Sequence, residues 1–174
     1  NAGTTLCGNY SSTNYDFANP KTQIGFATDW NLIVRTSGNG VFFYRQADGL
    51  GAFGTYDANC NWAYLKELPG FTQNWSHLVT TARGVLFYKA SEGVGALVSF
   101  TSDGTRTQTG TYVSGELVKD WEQVISTSAG VLFYKSDGSG ELGTFDLASN
   151  YLKTKSFAAG ELPVGSALVM PIGN

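Results

Sequence analysis

The sequence predicts an all-β protein, a four-bladed β-propeller whose last blade is shared between the two chain ends. Two observations carry this expectation. The segments DWNLIVRTSGNGVFFY from Asp29, NWSHLVTTARGVLFY from Asn74 and DWEQVISTSAGVLFY from Asp120 are copies of one another, and Trp30, Trp75 and Trp121 lie 45 and then 46 residues apart. A period in the forties, with short apolar strands and glycine turns, is the pattern of propeller blades. The remaining residues supply the two halves of a fourth copy. Gly160-Glu161-Leu162 leads to Ser166–Met170 as Gly115-Glu116-Leu117 leads to Trp121, so Ser166 takes the tryptophan position. Gly3-Thr-Thr-Leu-Cys7 then stands where Gly40–Tyr44 stands, and Tyr15-Asp16-Phe17-Ala18-Asn19 resembles Phe145–Ser149 and Tyr56–Asn59. A blade shared by both ends closes a ring and removes exposed sheet edges. The whole chain, 1–174, reads as one domain, with blades at about 29–73, 74–119, 120–164, and 165–174 plus 1–28. The alternative is a β-trefoil built from the three clear copies, with residues 1–28 as an N-terminal extension.

Within a copy the elements follow in order. Ile33-Val34, Leu78-Val79, Val124-Ile125 and Val169-Met170 mark a buried first strand. The continuous apolar runs ending at Tyr44, Tyr88 and Tyr134 mark a second strand covered on both faces. A hairpin follows, with a basic residue and an acid-glycine tip: Arg45 with Asp48-Gly49, Lys89 with Glu92-Gly93, Lys135 with Asp137-Gly138. Glycine at such a tip supplies the positive φ of a tight turn. That accounts for the tip without calcium, so no metal and no cofactor are assigned. Glu116–Gln123 could pass for a helix, but it falls at a blade junction.

Composition narrows the function. Charged residues are 14%, the net charge is −3 and there are 22 glycines. No basic stripe suggests nucleic acid, and no apolar run approaches the ~20 residues of a membrane helix. The chain begins at Asn1 and its one methionine is Met170. With two cysteines and the sequons at Asn9 and Asn74, this leads us to expect a secreted glycoprotein. A disulfide between Cys7 and Cys60 would tie the N-terminal segment to the ring.

For chemistry, His77 is the one histidine, and no nucleophile motif lies near it. Repeated acids such as Asp29 and Asp120, or Asp16, Asp57 and Asp146, radiate around a ring instead of forming one acid–base pair. Binding therefore comes first, and no catalytic residue is assigned. Aromatics are 14% of the chain, and aromatic faces with sparse polar groups suit sugar rings. Candidate ligand contacts are Trp30, Trp75, Trp121, Asp57, Asp146, Arg45, Lys89, Lys135 and Trp62. The tryptophans serve equally well as wedges between blades, and the aspartates as turn caps. Trp62, with no evident counterpart, and Tyr64 are expected on opposite sides of an outer strand or its turn, one facing solvent.

The Trp, apolar strand and G-[VL]-[FL]-F-Y core at each repeat resemble the tachylectin-2-type propeller lectins, and also the W…LLFYD repeats of secreted bacterial proteins. The resemblance covers about three repeats, from Asp29 to Gly160. It implies a lectin that binds sugars in pockets between blades, with glycans or glycoproteins as partners and up to three similar sites here. Its hairpin motif Y-[RK]-x-x-[DE]-G-x-G and four blades depart from tachylectin-2, so no sugar contact transfers by position. The alternatives are a secreted polysaccharide-active enzyme and a surface or immune-active glycoprotein engaging a protein partner.

Overall fold

The structure, a computed structural model, describes residues 3–10 and 17–165; for residues 3–10 and 17–20, and at Gln23 and Gly25, it describes the backbone alone. Strands β1 (Gly3–Tyr10) and β2 (Phe17–Phe26) form a two-stranded antiparallel sheet. The first copy folds into β3 (Leu32–Arg35), β4 (Gly40–Arg45), β5 (Leu50–Tyr56) and β6 (Trp62–Leu68). The second gives β7 (His77–Thr81), β8 (Gly84–Lys89), β9 (Val94–Phe100) and β10 (Arg106–Tyr112). The third gives β11 (Gln123–Thr127), β12 (Gly130–Tyr134), β13 (Gly140–Phe145) and β14 (Tyr151–Phe157). Each copy is its own four-stranded antiparallel sheet with strands in sequence order, and the described residues contain no helix. Strand β7 lies against β3 on one side and β11 on the other, so the first strands gather at the centre. This is a propeller-like arrangement of three blades. It sets aside the β-trefoil, which needs strands of different copies in one barrel.

The core lies between sheets. One cluster joins the first two blades through Val34, Phe42, Phe53, Trp75, Phe87 and Val98. A second joins the next pair through Val79, Leu86, Leu117, Trp121, Phe133 and Phe145. The second strand β8 is buried on both faces because a blade lies on each side of it, and β4 lies between the second blade and Phe26 of β2. The first strand β3 alternates instead: Val34 is 7% exposed and Ile33 54%, so that pair is not buried as a unit. The tip glycines Gly49, Gly93 and Gly138 take φ of 69°, 66° and 82°, as the acid-glycine turns require.

Adjacent blades are joined by a repeated clasp. Tyr44, Tyr88 and Tyr134 are fully buried, which leaves each hydroxyl needing a partner. Tyr44 donates to the Thr72 carbonyl and Tyr88 to that of Val118, both at 2.7 Å, and Tyr134 donates to that of Pro163. Each acceptor stands three residues before the next copy's tryptophan position, and Pro163 stands three before Ser166. The N–H groups of Asn74, Asp120 and Gly165 donate to the carbonyls of Gln46, Ala90 and Ser136 at 3.1, 2.9 and 2.8 Å. All three donors have left-handed backbone, with φ of 62°, 63° and 72°. Up to Gly165 the segment after the third blade therefore repeats those that lead into the second and third.

The N-terminal segment matched in sequence to the other half of a fourth copy departs from expectation. Phe17-Ala18-Asn19, matched to a turn, lies on β2, where Phe17 pairs with Tyr10 and Ala18 with Asn9 before the register shifts at Asn19. Pairing at Phe17 and Ala18 satisfies their backbone groups without a turn. Tyr15, Asp16 and Ser166–Met170 lie outside the described residues. The β2 end packs on the first blade, where Phe26 stacks on Phe43 at 5.4 Å and the Lys21 ammonium donates to the Asn61 side chain. Cys60, beside Asn61, is 5% exposed, and no described cysteine is a free thiol.

His77 also crosses between blades. Its Nε2 donates to the Glu122 carbonyl at 3.2 Å, since a carbonyl can only accept, and Nδ1 then accepts from the Ser76 hydroxyl at 2.9 Å. Burial holds the imidazole pKa below its ordinary value, with the Glu122 bond acting the other way. Below about pH 6.5 the unfolded chain takes up a proton at His77 that the folded chain resists. Stability is therefore lost as pH falls through the unfolded value, until the folded pKa is reached. Thermal melting from pH 7 to 5 should show a fall that shrinks in His77→Gln; an equal fall in both would exclude His77 as its source. Loss of one clasp in Tyr88→Phe should cost about 1 kcal/mol, a drop of roughly 2–4 °C in a chain this size. An unchanged melting temperature would show that the bond contributes nothing.

Candidate functional site

The three blades carry equivalent positions that the sequence did not reveal. Strand registers align Gly54, Val98 and Gly143 on the third strands, opposite Tyr64, Gln108 and Lys153 on the fourth. They align Trp62, Arg106 and Tyr151 at the fourth-strand starts, so Trp62 does have counterparts. In the first blade the Trp62 ring lies over Gly54, where a Cβ would come within 2.3 Å of it. In the third the Tyr151 ring lies over Gly143, with the same clash at 2.4 Å. The second blade has Val98 there, which leaves no room for such a ring, and Arg106 in place of the aromatic. Arg106 reaches Phe71 and the Pro69 carbonyl, in the segment that follows the first blade.

The result is a cleft of about 190 Å³ between the first and second blades, lined by Phe71, Trp75, Phe87, Ala96, Val98, Arg106 and Gln108 together with Gly70 and Thr72. Phe71 and Phe87 stack at 5.2 Å with their planes 11° apart. The Arg106 guanidinium lies 4.0 Å from the Phe71 ring centre and donates to the Pro69 carbonyl at 2.9 Å. No carboxylate among the described residues lies within ion-pair distance of it. Gln108 is exposed and donates to Thr111 Oγ1 at 2.7 Å. A flat apolar floor beside one cation and one amide can hold a ring with a C–H face and a few oxygens.

The equivalent positions elsewhere are filled from within. Between the second and third blades, Tyr151 packs on Phe133 and Phe145. Its hydroxyl donates to Glu141 at 2.8 Å, and Lys153 pairs with the same carboxylate at 3.5 Å. Burial, with Glu141 adding to it, raises the Tyr151 pKa. At the first blade's outer edge, Trp62 joins Phe26, Phe43 and Tyr56 in an aromatic cluster. The clefts are thus unlike one another, where three similar ones were expected.

Most of the candidate contacts read from sequence are engaged elsewhere. Trp30, Trp75 and Trp121 each hold the same relation to a second-strand phenylalanine, 6.0 Å from Phe43, Phe87 and Phe133. Trp75 and Trp121 are each 7% exposed, so they wedge blades, and Trp75 alone of the three lines the open cleft. Arg45 is held by Asp48 and Asp29, whose hydrogen bonds raise its pKa further. Lys89 pairs with Glu92 at 2.6 Å, and Lys135 lies 5.3 Å from the Trp121 ring. Asp57 and Asp146 cap turns, each accepting from two backbone N–H groups and one asparagine amide, whose side-chain bond contributes most to lowering its pKa. Trp62 and Tyr64 are two apart on one strand and so share a side, not opposite sides. Tyr64 is the solvent-facing one, at 57% exposure. Asn74 is exposed, and the side chains of Asn9 and Cys7 lie outside the described residues.

Sequence reasoning missed Phe71, Arg106 and Gln108. The signal was the paired exchange of Gly for Val98 and of an aromatic for Arg106 in one copy, visible only once the fourth strands are aligned. For acid–base work, no carboxylate orients His77, whose ring nitrogens meet a hydroxyl and a carbonyl.

No family model matches the chain, and no curated protein matches it either. It is similar in structure to a protein of Bacteroides fragilis solved under the name of a 6-phosphogluconolactonase. The TM-score is 0.53 at 14% identity, over 76% of this chain and 40% of that one. The chain thus spans about two fifths of that protein's length, and at this identity the likeness concerns the propeller-like fold.

Proposed function

We propose that this chain is a secreted lectin, a four-bladed propeller closed by its two ends, that binds glycans without catalysis in the cleft between its first and second blades. One observation carries the reading: an open, aromatic-floored cleft holds a guanidinium with no internal acid, while the equivalent cleft is filled from within. Sugar C–H faces pack on aromatic rings, and guanidinium and amide donors meet their oxygens. The tachylectin-2 resemblance, with sugar pockets between blades, agrees with this. Closure is supported by the clasp at Pro163 and Gly165, which prepares the copy that Ser166 begins.

Secretion, glycosylation at Asn9 and Asn74, and a Cys7–Cys60 bond belong to the same proposal. Cys7 lies opposite Lys21 across the first hairpin, and Lys21 reaches Asn61, next to Cys60. The bond would close a loop of 53 residues, for which chain entropy allows roughly 4 kcal/mol. Intact mass of protein made in a secreting eukaryotic host, before and after reduction and alkylation, reads the bond and the glycans together. Alkylation at either cysteine without reduction would refute the bond, and an unglycosylated mass would refute the glycans.

A glycan array tests the central reading. Wild type should bind a coherent glycan set, Phe71→Leu should lose most of it, and Arg83→Ala in a distant turn should not. One charge-assisted hydrogen bond is worth about 1.5–3 kcal/mol, so Arg106→Ala should weaken binding roughly 10- to 100-fold. Binding indifferent to Phe71 and Arg106 would put the site elsewhere. Silence across the array would end the carbohydrate reading.

A further inference from the structure

The two neighbouring clefts can be laid over one another residue by residue, and the difference between them specifies a ligand. Ala96 stands opposite Phe87, and Glu141 stands opposite Phe133, at the same register position of the two third strands. Both are nearly buried, at 8% and 7% exposure. The Glu141 carboxylate meets Tyr151 and Lys153, which hold the positions of Arg106 and Gln108. The second cleft therefore contains an acid and its donors, all from the chain. The first contains donors, an alanine at that position, as the first blade has Ala52 opposite Phe43, and open space in front of it.

We propose that the ligand of the first cleft carries its own carboxylate, that of an acidic sugar such as a uronic or sialic acid, seated where Glu141 sits in the neighbouring cleft. This rests on the carbohydrate reading above and specifies its ligand class. Arg106 is the anchoring residue. Its guanidinium is held flat on Phe71 with one donor spent on the Pro69 carbonyl, which leaves further N–H groups for an anion. Gln108 supplies a neutral donor alongside, and Phe71, Trp75 and Phe87 receive the sugar's apolar face. A carboxylate replacing water beside an unpaired cation, on a low-dielectric floor, is the exchange that Glu141 and Lys153 already make internally.

The test sets glucuronic acid oligosaccharides and sialyllactose beside their carboxyl-reduced twins, in titrations with the full chain. At least one acidic probe should bind tenfold or more tighter than its reduced twin, and the difference should vanish in Arg106→Gln. Ala96→Glu, which places an internal carboxylate before Arg106, should abolish binding while the protein still melts cooperatively. If Ala96→Glu fails to fold, the Arg106→Gln comparison alone decides. Equal binding of acidic and reduced twins would overturn the acidic-sugar inference and leave the lectin reading standing. So would a preference that survives Arg106→Gln. Binding of no probe, acidic or neutral, would overturn both.

Discussion

A tyrosine hydroxyl buried between blades is the constraint on which the rest depends. The second strand of each copy is covered on both faces, so the ring at its end has no water to turn to. Its hydroxyl must find a protein acceptor or lose about 1–3 kcal/mol. The acceptor it finds is a carbonyl on the segment leading to the next blade. That bond fixes where the next tryptophan enters, and the tryptophan then wedges against the next second-strand phenylalanine at the same 6.0 Å each time. Burial of Tyr88 pushes its pKa up to about 12, which keeps this donor protonated through the neutral range. Packing and polar satisfaction thus select one spacing, and the repeat length in the sequence is its record.

A frame held this firmly can tolerate change on its outer strands, and there the blades differ. Gly with an aromatic closes a cleft from within; Val98 with Arg106 opens one. The exchange is coupled, because a ring at residue 106 would meet the Val98 side chain and a glycine at 98 would leave a void. Ala96 matches Ala52 of the first blade, and Glu141 of the third is the residue that differs. Val98 and Arg106, on two adjacent strands, leave open in the second blade the space that Trp62 and Tyr151 fill in the other two, and the clasps on either side need not move.

The buried architecture was legible because burial on both faces demands apolar residues at every position, and that pattern repeats visibly in VFFY and VLFY. Turn tips were legible for a similar reason, since positive φ at Gly49, Gly93 and Gly138 admits few residue types. The fourth strands were not. Trp62, Arg106 and Tyr151 share a position but no chemistry, and solvent on one side relaxes what each may be. The extra residue bulged into each fourth strand obscures the alignment further. Arg45, Lys89, Asp57 and Asp146 stood out because they repeat, yet they repeat because each copy needs the same turn and the same ion pair. The cleft joins Trp75 and Phe87, which repeat, to Val98, Arg106 and Gln108, which do not, with Trp75 the one expected contact among them.

Repetition in this chain therefore reports the scaffold, and the proposed site lies where Val98 and Arg106 break it. Isothermal titration calorimetry with the tightest-binding glycan tests this most directly, because three equivalent positions could bind three ligands. One glycan per chain is the predicted result, with the first cleft open and the next filled by Tyr151 and Glu141. Two or more equal sites per chain would contradict it, since binding would then follow the repeated residues and not the exception.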